Sequence, residues 1–285
     1  MPVFTNTYTH NIEYFCPHMN IINWIQRQRI RYTLKRHPIS YELWEAVINK
    51  ASLLHNLSPT EKADLRELAT LFLCQKTITG AQGLLVSEEM KVIIAAQAVL
   101  PVLALGLDYY NGWIEIILYP GAFRVSHGDV DQNGLVSSES HNLSGESWLR
   151  GPVILSWEDI EYELHAPHPG YNVVVHEFAH KLDMLNGRAN GMPPLHPRME
   201  IEQWTHALSV AFETLQQQVA NQHSTRINAY AATTPAEYFA VVSEYFFTAP
   251  DILGKHCPDV YLQLTQFYRQ NPVARREHKI TENVR

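Results

Sequence analysis

Residues 172–183, NVVVHEFAHKLD, restrict the fold more than any other stretch of this chain of 285 residues. His176 and His180 are four residues apart, so on a helix their imidazoles lie on one face, one turn apart. The three valines that precede them indicate a helix in the core. Buried polar groups are costly unless they are paired, so the two histidines need partners. The stretch therefore predicts a buried helix with one chemically demanding face.

Two interpretations of this helix are open on the residues alone. In the first, His176 and His180 bind one zinc ion, because neutral imidazole suits four-coordinate Zn²⁺. Glu177 then acts as general base on a water at the metal. In the second, both are core histidines that are hydrogen-bonded to neighbouring groups. An HExxH pattern arises by chance in roughly 6% of chains of this composition, so the motif alone does not decide.

A zinc site of this kind needs a third protein ligand. The positions three and six residues after His180 hold Asp183 and Asn186 instead of glycine and histidine, which excludes the metzincin pattern. Glu200 lies 24 residues after His176, where thermolysin-like enzymes carry a helical glutamate. It is the second choice, because its surroundings lack that group's usual companion residues.

The better candidate is Glu237, on the first turn of an apolar helix in YAATTPAEYFAVVSEYFF. Thr234 stands three residues before it, and the two form the pattern of a capping box. Glu237 is therefore either a helix cap or a ligand, and the sequence alone leaves the two roles about even.

Two further carboxylates are candidates for orienting a ligand histidine. Glu244 lies seven residues after Glu237 and on the same helix face. Asp183 lies three residues after His180. For both, a solvated or locally paired carboxylate is an equally good interpretation.

The rest of the chain indicates the α+β class, mostly helical with a small mixed sheet next to the HExxH helix. Helices are predicted from residue 171 to about 186, from about 198 to 222 and from 235 to about 248, and strands within 112–123 and 151–157. The apolar segment 92–107 predicts a buried helix, since it is too short to span a membrane. Residues 1–36 form a basic N-terminal extension, and residues 37–285 form one domain.

Composition restricts the compartment and the partners. The net charge of −7 gives no indication of a nucleic-acid-binding protein. Three widely spaced cysteines predict neither a disulfide framework nor a cysteine-rich zinc site. The N-terminus carries no signal-peptide pattern. We therefore expect a cytoplasmic protein without a membrane partner.

Several motifs together resemble the Mlc titration factor A family of bacterial zinc metallopeptidases. They are HEFAHKLDMLNG, YAATTPAEYFAVVSEYFFTAPD, SGESWLRGPVILSW and LPVLALGLDYYNGW. The resemblance covers about residues 45–275. It implies a zincin-like fold, a peptide or protein substrate, and binding to the glucose repressor Mlc that regulates the glucose phosphotransferase system. Endo- or exopeptidase action stays open, with aminopeptidase as the named candidate.

The active-site pattern is also similar to that of the catalytic domain of anthrax lethal factor, where a tyrosine precedes the third ligand by seven residues. Tyr230 stands seven residues before Glu237. The two resemblances imply His176, His180 and Glu237 as ligands of one Zn²⁺, with Glu177 as general base and Tyr230 as hydrogen-bond donor. The alternative is a non-enzymatic protein that sequesters the repressor and has a vestigial zinc site.

Overall fold

The computed structural model describes residues 28–121 and 151–276. The chain divides into two compact units, residues 1–38 and 39–285. In the first unit, residues 28–36 are helical, and Arg36 donates a hydrogen bond to the Tyr32 hydroxyl at 3.3 Å. The division into an extension over 1–36 and a domain over 37–285 stays a prediction, and residues 1–27 of that extension lie outside the described residues.

The second unit is mostly helical, as the sequence predicts. In the described residues it contains the α-helices α1 (Tyr41–Lys50), α2 (Pro59–Gln75), α3 (Glu88–Val99), α4 (Trp157–His165), α5 (Val173–Asp183), α6 (Ile201–Ala220), α7 (Pro235–Thr248), α8 (Pro250–His256) and α9 (Pro258–Tyr268), and residues 272–276 are also helical. Short 3₁₀ segments include Met184–Asn186 and Ala229–Ala232. Side-chain caps fix the start of several helices. At the start of α2, Ser58 before Pro59 and Glu61 in the first turn form a capping box.

Three short strands form one sheet in the described residues. They are β1 (Thr77–Gly80), β2 (Glu115–Tyr119) and β3 (Val153–Ser156), in the spatial order β1-β2-β3. Both pairings are parallel, with Ile116 opposite Ile78 on one side and Val153 on the other. The prediction of a mixed sheet is therefore wrong for these strands. A long crossover separates each strand from the next, and parallel pairing requires such a connection.

Helix α5 lies in the core and contacts β3, α3 and α7. Its Phe178 is fully buried, and its ring centroid lies 5.7, 5.0 and 5.7 Å from those of Phe72, Tyr110 and Trp113. Helix α3 is buried along most of its length, as its apolar sequence predicts, but it ends at Val99 and turns follow instead of a helix up to residue 107. Within the described ranges, no helix has both the length and the apolar character that crossing a bilayer needs. This packing fixes α5 rigidly between the sheet and α7.

Candidate metal centre

Asn172 fixes the start of α5. Its side-chain oxygen accepts the Val175 N–H at 2.8 Å, which satisfies a backbone donor that the helix itself leaves unpaired. Its amide nitrogen donates to Gln97 of α3 at 2.7 Å, and its own N–H donates to Glu244 of α7. One residue thereby connects three helices at the end of α5 that carries His176. The sequence analysis missed this role, although an asparagine directly before a helical pattern is an N-cap signal.

The side chains of His176, His180 and Glu237 converge between α5 and α7. Each is half-buried, and one ligand atom from each lies within 4.8 Å of the others. Nε2 of His176 is 3.2 Å from Nε2 of His180. The Glu237 carboxylate approaches both rings, with Oε2 3.1 Å from His176 Nε2 and Oε1 3.4 Å from His180 Nε2. The structure thus brings together three of the residues that the sequence nominates, from two helices more than 50 residues apart in the chain.

Helix α7 is capped without the Glu237 carboxylate. Thr234 Oγ1 accepts the Glu237 N–H at 3.1 Å, so the hydroxyl and the backbone complete the cap. The Glu237 side chain turns away from Thr234 and towards the two histidines. The sequence left open whether Glu237 is a cap or a ligand. In the structure its backbone N–H takes part in the cap, while its carboxylate faces the histidines.

The donor set fits a zinc ion. Two imidazole nitrogens bound to one zinc at 2.0–2.1 Å in tetrahedral geometry lie about 3.3 Å apart, close to the separation of the two Nε2 atoms. Glu237 Oε2 is buried and makes no hydrogen bond of acceptable geometry with any described residue, although His176 Nε2 is 3.1 Å away. An unpaired buried carboxylate oxygen is costly, and a cation between these three groups removes that cost.

Glu244 lies behind His176. Its Oε1 is 2.8 Å from His176 Nδ1, and its Oε2 accepts the Asn172 N–H. Burial lowers the pKa of His176, but the adjacent carboxylates of Glu237 and Glu244 outweigh it and raise the pKa to about 10. Burial acts to raise the pKa of Glu237, and its contacts with His176 and His180 outweigh that and hold it well below the usual range. Glu244 therefore has the geometry needed to orient a ligand imidazole.

Tyr230 lies at the rim of this cluster. It belongs to the 3₁₀ segment Ala229–Ala232, and its N–H donates to the Asn228 side chain at 3.0 Å. Its ring centroid is 6.3 Å from that of His176, and the residue is 46% exposed. Partial burial and the nearby Glu237 carboxylate raise the pKa of Tyr230 to about 12. The phenol is therefore a protonated donor at neutral pH.

The remaining candidates lie in different settings. Glu177 is half-buried on α5, between the two histidines in sequence. Glu200 is exposed at the N-terminus of α6 and belongs to no cluster of metal-binding groups among the described residues. Asp183 is fully buried, but its two oxygens accept the N–H groups of Gly191 and Met192 at 2.7 and 2.8 Å. Burial raises the pKa of Asp183 to about 6.

The site geometry agrees with a comparison against known families. A family profile described as glucose-regulated metallo-peptidase M90 matches residues 22–269. This chain belongs to the M90 metallopeptidase family. The match contains every candidate site residue, and it begins at residue 22, earlier than the resemblance over 45–275 that the motifs suggest.

Several similar proteins are named Mlc titration factor A. Proteins called Mlc titration factor A from Klebsiella pneumoniae and Serratia proteamaculans are each 42% identical to this chain, over 82% and 81% of it and 88% of each relative. A protein of the same name from Escherichia fergusonii is 41% identical over 81% of this chain and 87% of its own length. The identity extends over most of both chains, so the similarity concerns the whole fold and not the HExxH motif alone.

Proposed function

We propose that this chain is a zinc-dependent peptidase that holds one Zn²⁺ through His176, His180 and Glu237. The observation that carries the proposal is the convergence of the two Nε2 atoms on the Glu237 carboxylate, whose Oε2 is buried without a hydrogen bond of acceptable geometry among the described residues. Membership of a metallopeptidase family supports it. A zincin-like architecture belongs to the same proposal, because α5 packs between a small sheet and the helix that carries the third ligand.

The chain's own residues supply the remaining chemistry. When bound, zinc acts as a Lewis acid that lowers the pKa of water and polarises a substrate carbonyl. Glu177 takes a proton from the attacking water and delivers it to the nitrogen of the leaving amine. The Tyr230 hydroxyl donates a hydrogen bond to the oxyanion that develops on the scissile carbonyl. Glu244 holds Nδ1 of His176 and so turns Nε2 towards the metal.

We assign a peptide or protein substrate, with cleavage at an amino terminus as the more specific candidate, and a cytoplasmic location. Among the described residues, Cys74 and Cys257 form no disulfide, which agrees with a reducing compartment. Hydrolysis of aminoacyl p-nitroanilides compared with N-blocked peptides distinguishes an aminopeptidase from an endopeptidase. Activity on blocked peptides alone contradicts the aminopeptidase assignment.

A second proposed activity is binding of the repressor Mlc, and through it regulation of the glucose phosphotransferase system. Its support is the name Mlc titration factor A, which the relatives share. If the chain is instead a non-enzymatic, repressor-sequestering protein with a vestigial site, purified Mlc binds while no peptide is cleaved. Titration of Mlc with wild type and with Glu177→Gln separates the two activities.

Metal analysis tests the zinc site directly. We expect wild type to retain about one zinc per chain after gel filtration, and Glu237→Ala to lose most of it. Glu200→Ala is the matched control, since it removes the exposed glutamate at the alternative sequence position. Zinc retained by Glu237→Ala and lost by Glu200→Ala reverses the assignment of the third ligand.

A further inference from the structure

Asp183 is the last residue of helix α5, three residues after His180. Its carboxylate accepts hydrogen bonds from backbone N–H groups and not from a candidate metal ligand. Its Oδ2 accepts the Gly191 N–H at 2.7 Å and its Oδ1 accepts the Met192 N–H at 2.8 Å. The residue has no solvent exposure. Hydrogen bonds to a charged acceptor are stronger than neutral ones, so this pair holds the loop after α5 firmly against the end of the helix.

Gly191 is held from two further directions. Trp204 of α6 donates its indole N–H to the Gly191 carbonyl at 3.2 Å. On the other side, the Cα of Gly191 packs against the first residue of α7: an added Cβ would lie 2.5 Å from the carbonyl oxygen of Pro235. Gly191 also has a φ of +76°, a conformation that side-chain-bearing residues rarely adopt. Both the conformation and the close contact require glycine here.

The contact at Pro235 lies in the same helical turn as the candidate ligand Glu237. Pro235 is the first residue of α7, and Glu237 follows two residues later in the same turn. The Glu237 oxygens lie 3.1 and 3.4 Å from the two histidine nitrogens, so a small displacement of this turn changes whether one ion can reach all three groups. The position of the third ligand therefore depends on where Gly191 holds Pro235.

We propose that Asp183 is a positioning residue for Glu237, acting through the Gly191 backbone and Pro235 on the first turn of α7. This differs from the role suggested by its sequence position, that of orienting a ligand histidine, because both of its oxygens accept backbone N–H groups. The inference rests on the proposed zinc site, and it assigns to one carboxylate the link between the two histidines on α5 and the third ligand on α7.

The test measures zinc affinity of metal-stripped protein by competition with a chromogenic chelator. Asp183→Asn keeps the size of the side chain but replaces one acceptor oxygen with an N–H₂ group that faces a backbone N–H. We expect a 10–100-fold weaker zinc affinity, the usual effect of removing a group that orients a metal ligand. Gly191→Ala disturbs the contact between Gly191 and Pro235, and we expect it to weaken zinc binding to a similar extent.

The control is Gln270→Leu, which removes a buried amide that donates to the Leu100 and Pro101 carbonyls at 2.9 and 3.4 Å and accepts from Arg275, with no hydrogen bond to a candidate ligand among the described residues. Urea unfolding of the metal-free proteins measures how much unfolding free energy Asp183→Asn, Gly191→Ala and Gln270→Leu each lose, so that their zinc affinities are compared at similar losses of stability. Zinc affinity that falls as much in Gln270→Leu as in the other two overturns the proposal, because general loosening then explains the effect.

A double-mutant cycle with Glu237→Ala shows whether Asp183 acts through that ligand. We expect Asp183→Asn to have no further effect on zinc affinity once Glu237 is removed. In cobalt-loaded protein, the visible spectrum of Asp183→Asn should change in the same direction as that of Glu237→Ala.

If Glu237→Ala binds zinc as wild type does, the proposed site itself fails. If Glu237→Ala loses zinc while Asp183→Asn and Gly191→Ala bind normally, or if the Asp183 effect persists without Glu237, only this inference fails.

Discussion

Oε1 of Glu244 lies 2.8 Å from Nδ1 of His176, on the side of the ring opposite to the proposed metal position. Because Glu237 and Glu244 are seven residues apart on α7, one helix face presents carboxylates to both nitrogens of the same imidazole. A carboxylate at Nδ1 selects the tautomer that carries its proton there and leaves the Nε2 lone pair available to a metal.

This relationship predicts that Glu244→Gln weakens zinc binding about tenfold and that Glu244→Ala weakens it more, within the 10–100-fold range typical of such partners. The amide oxygen of glutamine still accepts from Nδ1, but without charge, so the smaller effect is expected for that variant. Zinc competition titrations measure both. Equal affinities in wild type and Glu244→Ala contradict the orienting role.

The geometry at the start of α7 predicts that mutations can separate the capping role of Thr234 from the metal-binding role of the Glu237 carboxylate. Thr234→Ala should lower the free energy of unfolding of the metal-free protein by about 1 kcal/mol, the usual cost of losing a cap, with zinc still bound by the folded protein. Glu237→Ala should leave the Thr234 cap in place and abolish tight zinc binding. Tight zinc binding by Glu237→Ala, or loss of zinc from folded Thr234→Ala, contradicts this separation.

Tyr230 is predicted to act on the transition state and not on the metal. Tyr230→Phe removes one donor to the developing oxyanion, so kcat should fall roughly 10²–10³-fold, with KM changing little. Zinc content, determined by atomic absorption on the same preparation, should equal that of wild type. A variant that loses zinc in proportion to activity makes Tyr230 a structural residue of the site.

Because the Glu163 carboxyl is buried, we expect the stability of the protein to depend on pH. Its Oε1 accepts the Val173 N–H at 2.8 Å, and its Oε2 is buried without a hydrogen bond in the described residues. Burial, and then the nearby charges of Glu244 and Asp159, raise its pKa from 4.5 to about 8. The folded state thus keeps a proton that the unfolded state has lost, so this residue's contribution to stability falls as pH rises from about 4.5 to about 8.

Urea unfolding of EDTA-treated wild type and Glu163→Gln between pH 5 and 8.5 checks this. Glutamine imitates the protonated carboxyl and does not titrate. The free energy of unfolding of wild type should therefore fall relative to that of Glu163→Gln as pH rises, by up to ~1.4 kcal/mol per pH unit. Parallel stability profiles contradict the raised pKa of Glu163.

Local patterns predict much of the fold and of the candidate site. The bounds of α7 are those expected from its Thr-Pro start, and the capping box of α2 joins Ser58 and Glu61, only three positions apart. Burial of α5 follows from its valines. These features depend on residues a few positions apart, for which helix geometry and capping chemistry suffice.

What sequence reasoning missed depends on distant contacts. Strand β1, TITG, has only four residues and one buried side chain, too little for a period to be recognised. Its parallel pairing with β2 is decided by the crossover between them and by no local signal. The partners of Asp183 are likewise backbone groups of a loop, which no side-chain pattern identifies.

The central claim is that Glu177 is the general base of a zinc peptidase, and parallel measurement of zinc content and peptide turnover in Glu177→Gln tests it most directly. Glutamine keeps the shape of the side chain but accepts no proton, so we predict wild-type zinc content and a loss of kcat of at least 10²-fold. Full zinc occupancy with unchanged turnover would contradict the account.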